Sequence, residues 1–270
     1  MTRSSRIPLG AVLLFGVLQT LAASDHEGVN LYSVQQEVAL GRQMAAEVEK
    51  QTWLVDDPIV AEYINRLGQN LALRANAEFP LRVKMIQSDE INAFTLPGGF
   101  VYVNSGVMKM ADNEAELASV IAHEIGHAAA RHATRQASRG QLAKIAAMPL
   151  GILIPGWGGL AARQSASAAA PVASSHFSRA FETEADLLGV RYLFEAGYDP
   201  NASIDMFERI ESTERRKPGA VSRLFLSHPP TSDRIVKTQA AIRKLKGETD
   251  GYILNTSEFE ATRTRLMSGN

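Results

Sequence analysis

Apolar positions in this chain recur at two periods. Between positions 34 and 50, Val38, Gly41, Ala45 and Val48 share one face of a 3.6-residue repeat behind a Ser33/Gln36 capping box, which predicts a helix. Asp57-Pro58 opens a second helix, with Ile59, Tyr63, Leu67 and Leu71 at helical spacing. Over 81–87 the period drops to two. Leu81, Val83 and Met85 alternate with Arg82 and Lys84, as in a half-exposed strand. Residues 91–96, the Pro97-Gly98-Gly99 turn and 100–104 read as a hairpin, so the three segments predict a small antiparallel sheet.

Asn113 and Glu116 have capping-box spacing and open a helix expected to reach about residue 131. Leu117, Val120, Ile121, Ile125 and Ala128 give it an apolar face, and Ala118, Ala122, Ala129 and Ala130 permit close packing, so it should be central and largely buried. Over 138–175 the pattern dissolves into a segment read as a flexible loop. Positions 148–162 carry no charge and are broken by prolines and glycines, and 165–175 are rich in serine and alanine. The apolar part is too short and too proline-broken to span a bilayer as a helix. Two readings stay open for it: a lid or surface loop that meets a membrane or an outer-membrane assembly partner through Ile152, Leu153, Ile154 and Trp157, or a disordered connection. Helices resume over 177–196, ending at Gly197, then from Asp199-Pro200 to about 214, from Ser227-His228-Pro229-Pro230 to about 245, and after Ser257/Glu260. The class is therefore α+β, mainly helical.

Composition narrows the setting. A chain of 270 residues with 45% hydrophobic content holds a real core, and a formal net charge of −1 with scattered lysines and arginines gives no sign of a nucleic-acid surface, so no nucleic-acid partner is expected. Arg3 and Arg6, an apolar run over 7–21 and the small residues Ala22, Ala23 and Ser24 form an export-signal pattern. Cleavage near Ala22 to Ser24 leaves a domain over 25–270 in the periplasm; an uncleaved membrane anchor is the alternative. There is no cysteine, so disulfides and thiolate metal sites are excluded and any metal is held by histidine and carboxylate.

The chemistry lies on the alanine-rich helix. His123-Glu124-Ile125-Gly126-His127 is an HExxH arrangement: at about 100° per residue both imidazoles reach one ion, and Glu124 beside them acts on the water that the ion activates. Glu182 and Asp186 share a face of the 177–196 helix, whereas Glu184 points away from them. Glu182 is the expected third ligand, with one zinc ion per chain. Asp186 is expected to orient a ligand histidine. The strand residues Phe100, Val101, Tyr102 and Val103, with Asn92, are expected to pair with substrate backbone. His228 and Arg234 are candidates for an oxyanion donor. His132, about 180° round the helix from His123, should face away, and His26 and His176 read as terminal and capping residues.

With HEIGH at 123–127, ETEAD at 182–186 and NAFTLPGG at 92–99 in this order, the chain resembles the HtpX-like and CAAX-prenyl-protease-like zinc metallopeptidases, peptidase family M48, over about 34–245. The resemblance implies a zincin-like (gluzincin) fold in which the HExxH helix packs on a second ligand helix below a small sheet. It also implies Glu182 as third ligand, the first residue of an ExxxD pattern ending at Asp186. His228-Pro229 followed by Arg234 is similar to the HPxxxxR segment of periplasmic members, where the histidine takes the open metal position and holds the enzyme latent. The residues after 245 carry no tetratricopeptide-type pattern, so recruitment by such a domain is not expected. The function implied is an exported zinc endopeptidase acting on polypeptide substrates, unfolded or misassembled envelope proteins. A chaperone-like assembly factor with little proteolysis is the alternative, and a zinc hydrolase of non-peptide amides is a further one.

Overall fold

The computed structural model describes residues 29–146, 177–216, 228–229, 231–245 and 251–269. The export-signal segment, His26, the 148–162 loop, the Ser/Ala-rich run and His176 lie outside the described residues. Two compact units are present, one of Ser33–Ala133 with Pro171–Asn270, the other of Met1–Tyr32 with Thr134–Ala170. Among the described residues of the second unit, Asn30 donates to the Thr134 hydroxyl (2.9 Å), Leu31 N–H to Ser138 (2.9 Å) and Gln141 to the Tyr32 hydroxyl (2.9 Å).

The first unit follows the predicted periods. Helix α1 (Val34–Gln51) starts at the expected capping box, and α2 (Pro58–Ala72) has Asp57 as its cap, accepting from Ile59 and Val60. Strands β1 (Arg82–Ile86), β2 (Ala93–Leu96) and β3 (Phe100–Asn104) form one sheet, in the order β1-β3-β2. The expected antiparallel sheet is in fact mixed: β2 pairs antiparallel with β3, but β1 runs parallel to it. The hairpin strand β3 inserts between β1 and β2, and alternation within a strand carries no information about which neighbour it finds. Val101 and Val103 face the main core with Val60, Ile64, Leu67 and Ile121, while Phe100 and Tyr102 face a smaller cluster with Ala45, so β3 is buried on both faces.

After the short α3 (Ser105–Met110), α4 (Glu114–Ala129) carries HEIGH through the core, with every residue buried except His123 and Ala129. Asn113 caps it through the Glu116 N–H, and the buried Glu116 carboxylate accepts from Arg209 at 2.7 and 3.0 Å. The helix stops at Ala129, and Arg131 takes a left-handed φ of 55° before α5 (His132–Ala146) begins. A non-glycine residue there costs about 1–2 kcal/mol, and the Arg131 guanidinium is held by Glu37 at 2.7 Å. Residues 138–146, expected in the flexible loop, therefore belong to a helix. Then come α6 (Arg179–Glu195), α7 (Ala202–Arg216), α8 (Ser232–Ile242) and α9 (Ser257–Ser268), the last capped by Thr256, one residue before the expected Ser257. No helix among the described residues is long and apolar enough to cross a membrane.

Candidate metal centre

Helices α4 and α6 cross closely because each carries a glycine at the crossing. A Cβ on Gly126 would stand 2.9 Å from the Ala185 carbonyl oxygen, and one on Gly189 3.1 Å from the His123 nitrogen. This approach brings Glu182 and Asp186 of α6 against His123 and His127 of α4. His228, just before α8, closes the cluster from a third side.

The four side chains His123, His127, Glu182 and His228 each offer a donor atom, all within 4.8 Å of one another. His123 Nε2 lies 3.0 Å from His127 Nε2, 3.5 Å from Glu182 Oε2 and 3.4 Å from His228 Nδ1. Glu182 Oε1 lies 3.4 Å from His127 Nε2 and 3.0 Å from His228 Nδ1. Bonds of about 2.0–2.1 Å in a tetrahedral site imply donor–donor edges of about 3.3–3.4 Å, and these five distances bracket that length. A buried set of imidazole nitrogens and one carboxylate, without sulfur, fits a divalent cation of the zinc type.

The supports are as specific as the donors. Asp186 Oδ1 lies 3.0 Å from His123 Nδ1, the orienting contact expected of it. Arg234 donates to both Asp186 oxygens (2.6 and 2.7 Å) and to the His228 and Pro229 carbonyls (3.1 and 3.0 Å), and Nη1 lies 3.0 Å from Glu182 Oε2. With its fork so engaged at 3% exposure, Arg234 is a strut for the His228 segment. Glu124 is buried, its Oε2 and its carbonyl each 2.8 Å from the Thr95 hydroxyl. Glu124 Oε1 accepts no hydrogen bond from a described residue and faces His228 Nε2 at 3.4 Å.

Burial and charge compete at each group. Burial opposes the charged form of His123, but Asp186 and Glu182 outweigh it and raise the pKa to about 10. Burial, with the charge of His123, pushes His127 well below the usual imidazole value. For Glu182 burial acts upward, and His228, His123 and His127 overcome it and hold the carboxyl far below the ordinary range. Asp186 is lowered the same way, burial being outweighed by Arg234 and His123. Beside the cluster, Val120, Val190, Met206, Phe207 and Ile210 wall an apolar cavity of about 50 Å³.

Two expectations change. Phe100, Val101, Tyr102 and Val103 are paired on one side with β1 and on the other with β2, so their backbone is fully engaged, and the Asn92 carbonyl is taken by Asn104 N–H at 2.9 Å. Among the described strands β1 and β2 are the two edges of the sheet; Leu54 bridges Ile86 on the outer side of β1, whereas β2, which carries Thr95, pairs with β3 alone. His132 does not face away: the break at Arg131 swings it back, fully buried, with Nδ1 2.9 Å from His127 Nδ1. Glu184, which the helical spacing set apart from Glu182 and Asp186, meets His132 Nε2 at 3.1 Å. Thr95, His132 and Glu184 were invisible as site residues because helix rotation cannot be extrapolated through a break and a strand pattern does not say which helix it touches.

A family model described as peptidase family M48 matches residues 58–242. The chain is 34% identical over 220 residues to a putative beta-barrel assembly-enhancing protease of Vibrio cholerae, covering 78% of this chain and 45% of that protein. It is 30% identical over 243 residues to the beta-barrel assembly-enhancing protease of Escherichia coli K12, covering 87% and 49%. Against the metalloprotease LoiP of the same organism it is 30% identical over 223 residues, covering 79% and 84%. The chain thus spans about half the length of the beta-barrel assembly-enhancing proteases it matches.

Proposed function

We propose that this chain, which belongs to peptidase family M48 and is a metalloprotease, is a zinc endopeptidase of the periplasm that cuts unfolded or misassembled envelope proteins. The observation that carries the reading is the donor cluster of His123, His127 and Glu182 bordered by the Glu124 carboxylate. One zinc ion per chain is held by these three residues. The relatives named for beta-barrel assembly support the substrate class, and the export-signal pattern at the N-terminus supports the compartment.

The chemistry a bound zinc ion supplies is polarisation of the scissile carbonyl and acidification of the attacking water, to a pKa of about 7. Glu124 takes the water proton on Oε1, since Thr95 occupies Oε2, and delivers it to the leaving amine. Asp186 and Arg234 keep His123 and Glu182 in place through the reaction. The open edge of β2 receives substrate backbone, and sequence-independent pairing suits unfolded chains. His228 has Nδ1 among the donors and Nε2 toward Glu124, between ligands and base, which supports a latent enzyme that opens when His228 withdraws.

Metal analysis of wild type and Glu182→Ala, with cleavage of an unfolded protein by zinc-loaded wild type, His228→Ala and Glu124→Gln, tests this. We expect one zinc in wild type, weakened binding in Glu182→Ala, faster cutting by His228→Ala than by the latent wild type, and none by Glu124→Gln. Equal zinc retention in Glu182→Ala sinks the ligand assignment. A zinc-loaded His228→Ala protein that cuts no unfolded chain sinks the peptidase reading and favours the chaperone-like one.

A further inference from the structure

The two ligand histidines on α4 are supported differently. His123 reaches a carboxylate directly, Nδ1 to Asp186 at 3.0 Å. His127 turns Nε2 to the donor cluster and Nδ1 to another imidazole, His132, at 2.9 Å, and His132 Nε2 lies 3.1 Å from Glu184 Oε2. The rings are fixed in plane: Phe177 stacks on His127 with centroids 4.2 Å apart, and Phe181 on His132 at 4.3 Å. The His132 side chain is fully buried, while that of Glu184 is 42% exposed, so the chain of contacts runs from the cluster to the surface.

Resting on the metal reading above, we infer that His132 and Glu184 are positioning residues for His127, forming a carboxylate–imidazole–imidazole relay that fixes its tautomer for metal binding. The proton inventory closes in one way. A histidine that ligates through Nε2 has its lone pair there and its single proton on Nδ1. That proton is donated to His132, whose Nδ1 must accept. His132 then carries its own proton on Nε2 and donates it to the Glu184 carboxylate. The opposite tautomer of His132 would set two N–H groups against each other at 2.9 Å and leave the carboxylate facing a lone pair. Glu184 thus selects the acceptor form of His132, and His132 selects the ligating form of His127. Outer partners of ligand histidines typically account for about 10–100-fold in metal affinity.

The test is the zinc dissociation constant of the full chain by competition with a chromophoric chelator, the cobalt-substituted visible spectrum, and the unfolding temperature in excess chelator. His132→Leu removes the acceptor and is expected to weaken zinc about 10–100-fold and to perturb the cobalt bands. His132→Asn keeps an acceptor near the Nδ1 position and is expected to restore both. Where His132→Leu yields no folded protein, Glu184→Leu at the exposed end decides, with weaker zinc at an unchanged chelator unfolding temperature expected. Zinc held as tightly as in wild type by a folded His132→Leu or by Glu184→Leu overturns the relay. So does His132→Asn behaving like His132→Leu. Wild type that binds no zinc overturns the metal reading together with the relay, whereas wild type binding one zinc beside an unaffected variant overturns the relay alone.

Discussion

Replacing Arg234 with methionine should cost the protein a large part of its stability and loosen the His228 segment together. The guanidinium is 3% exposed and gives Asp186 two hydrogen bonds of 2.6 and 2.7 Å, and it also stacks on Phe207 at 5.3 Å. Methionine keeps much of the volume but leaves Asp186 and Glu182 buried with less positive charge beside them. Removing one partner of a buried ion pair costs about 3–5 kcal/mol, a fifth or more of the about 5–15 kcal/mol that holds a typical domain together. Because the residual charge is the source of the loss, adding Asp186→Asn should return part of it, with a coupling of about 1–3 kcal/mol. The sign with pH follows from Asp186, whose pKa is lowered despite burial because Arg234 and His123 hold its anion. A depressed carboxylate contributes stability above its unfolded pKa of about 4 and loses it as pH falls through the folded value. In Arg234→Met that depression weakens, so the gap to wild type should be widest near neutrality and narrow below about pH 4. Urea unfolding in excess chelator, followed by circular dichroism at pH 7 and at a pH below 4, measures both. A loss under about 1 kcal/mol at pH 7, at the level of an exposed pair, or a gap independent of pH, would refute the reasoning.

Three further outcomes are expected. His228→Ala frees the space between ligands and base, and cleavage of an unfolded reporter should rise while zinc stays bound; a fall in rate would count against latency. Gly126→Ala sets a methyl 2.9 Å from the Ala185 carbonyl, so α4 and α6 must part; urea unfolding should show a loss of about 1–3 kcal/mol, with weaker zinc retention in parallel. Thr95→Val keeps the shape of β2 but removes the hydroxyl at Glu124 Oε2. We expect kcat to fall about tenfold, in line with about 1–1.5 kcal/mol for a hydrogen bond, with zinc stoichiometry unchanged.

Much of this molecule was legible in the chain itself, because the forces that set those features act within a few residues. The period-3.6 stripes and the caps at Ser33, Asp57 and Asn113 produced α1, α2 and α4 nearly at their predicted bounds. The i, i+4 spacing of His123 with His127 and of Glu182 with Asp186 put each pair on one helical face before any packing was known. What the sequence left open depends on which distant surfaces meet. The parallel pairing of β1 with β3 goes with burial on both faces of β3, which puts β3 in the centre of the sheet and leaves β2 as an edge strand. The turn of His132 back to His127 is chosen by one left-handed residue, Arg131, held by Glu37 94 positions earlier in the chain. Arg234 became a strut of the His228 segment because α8 packs it against Asp186. Local periodicity thus named the ligands, while long-range packing assigned the residues that hold them.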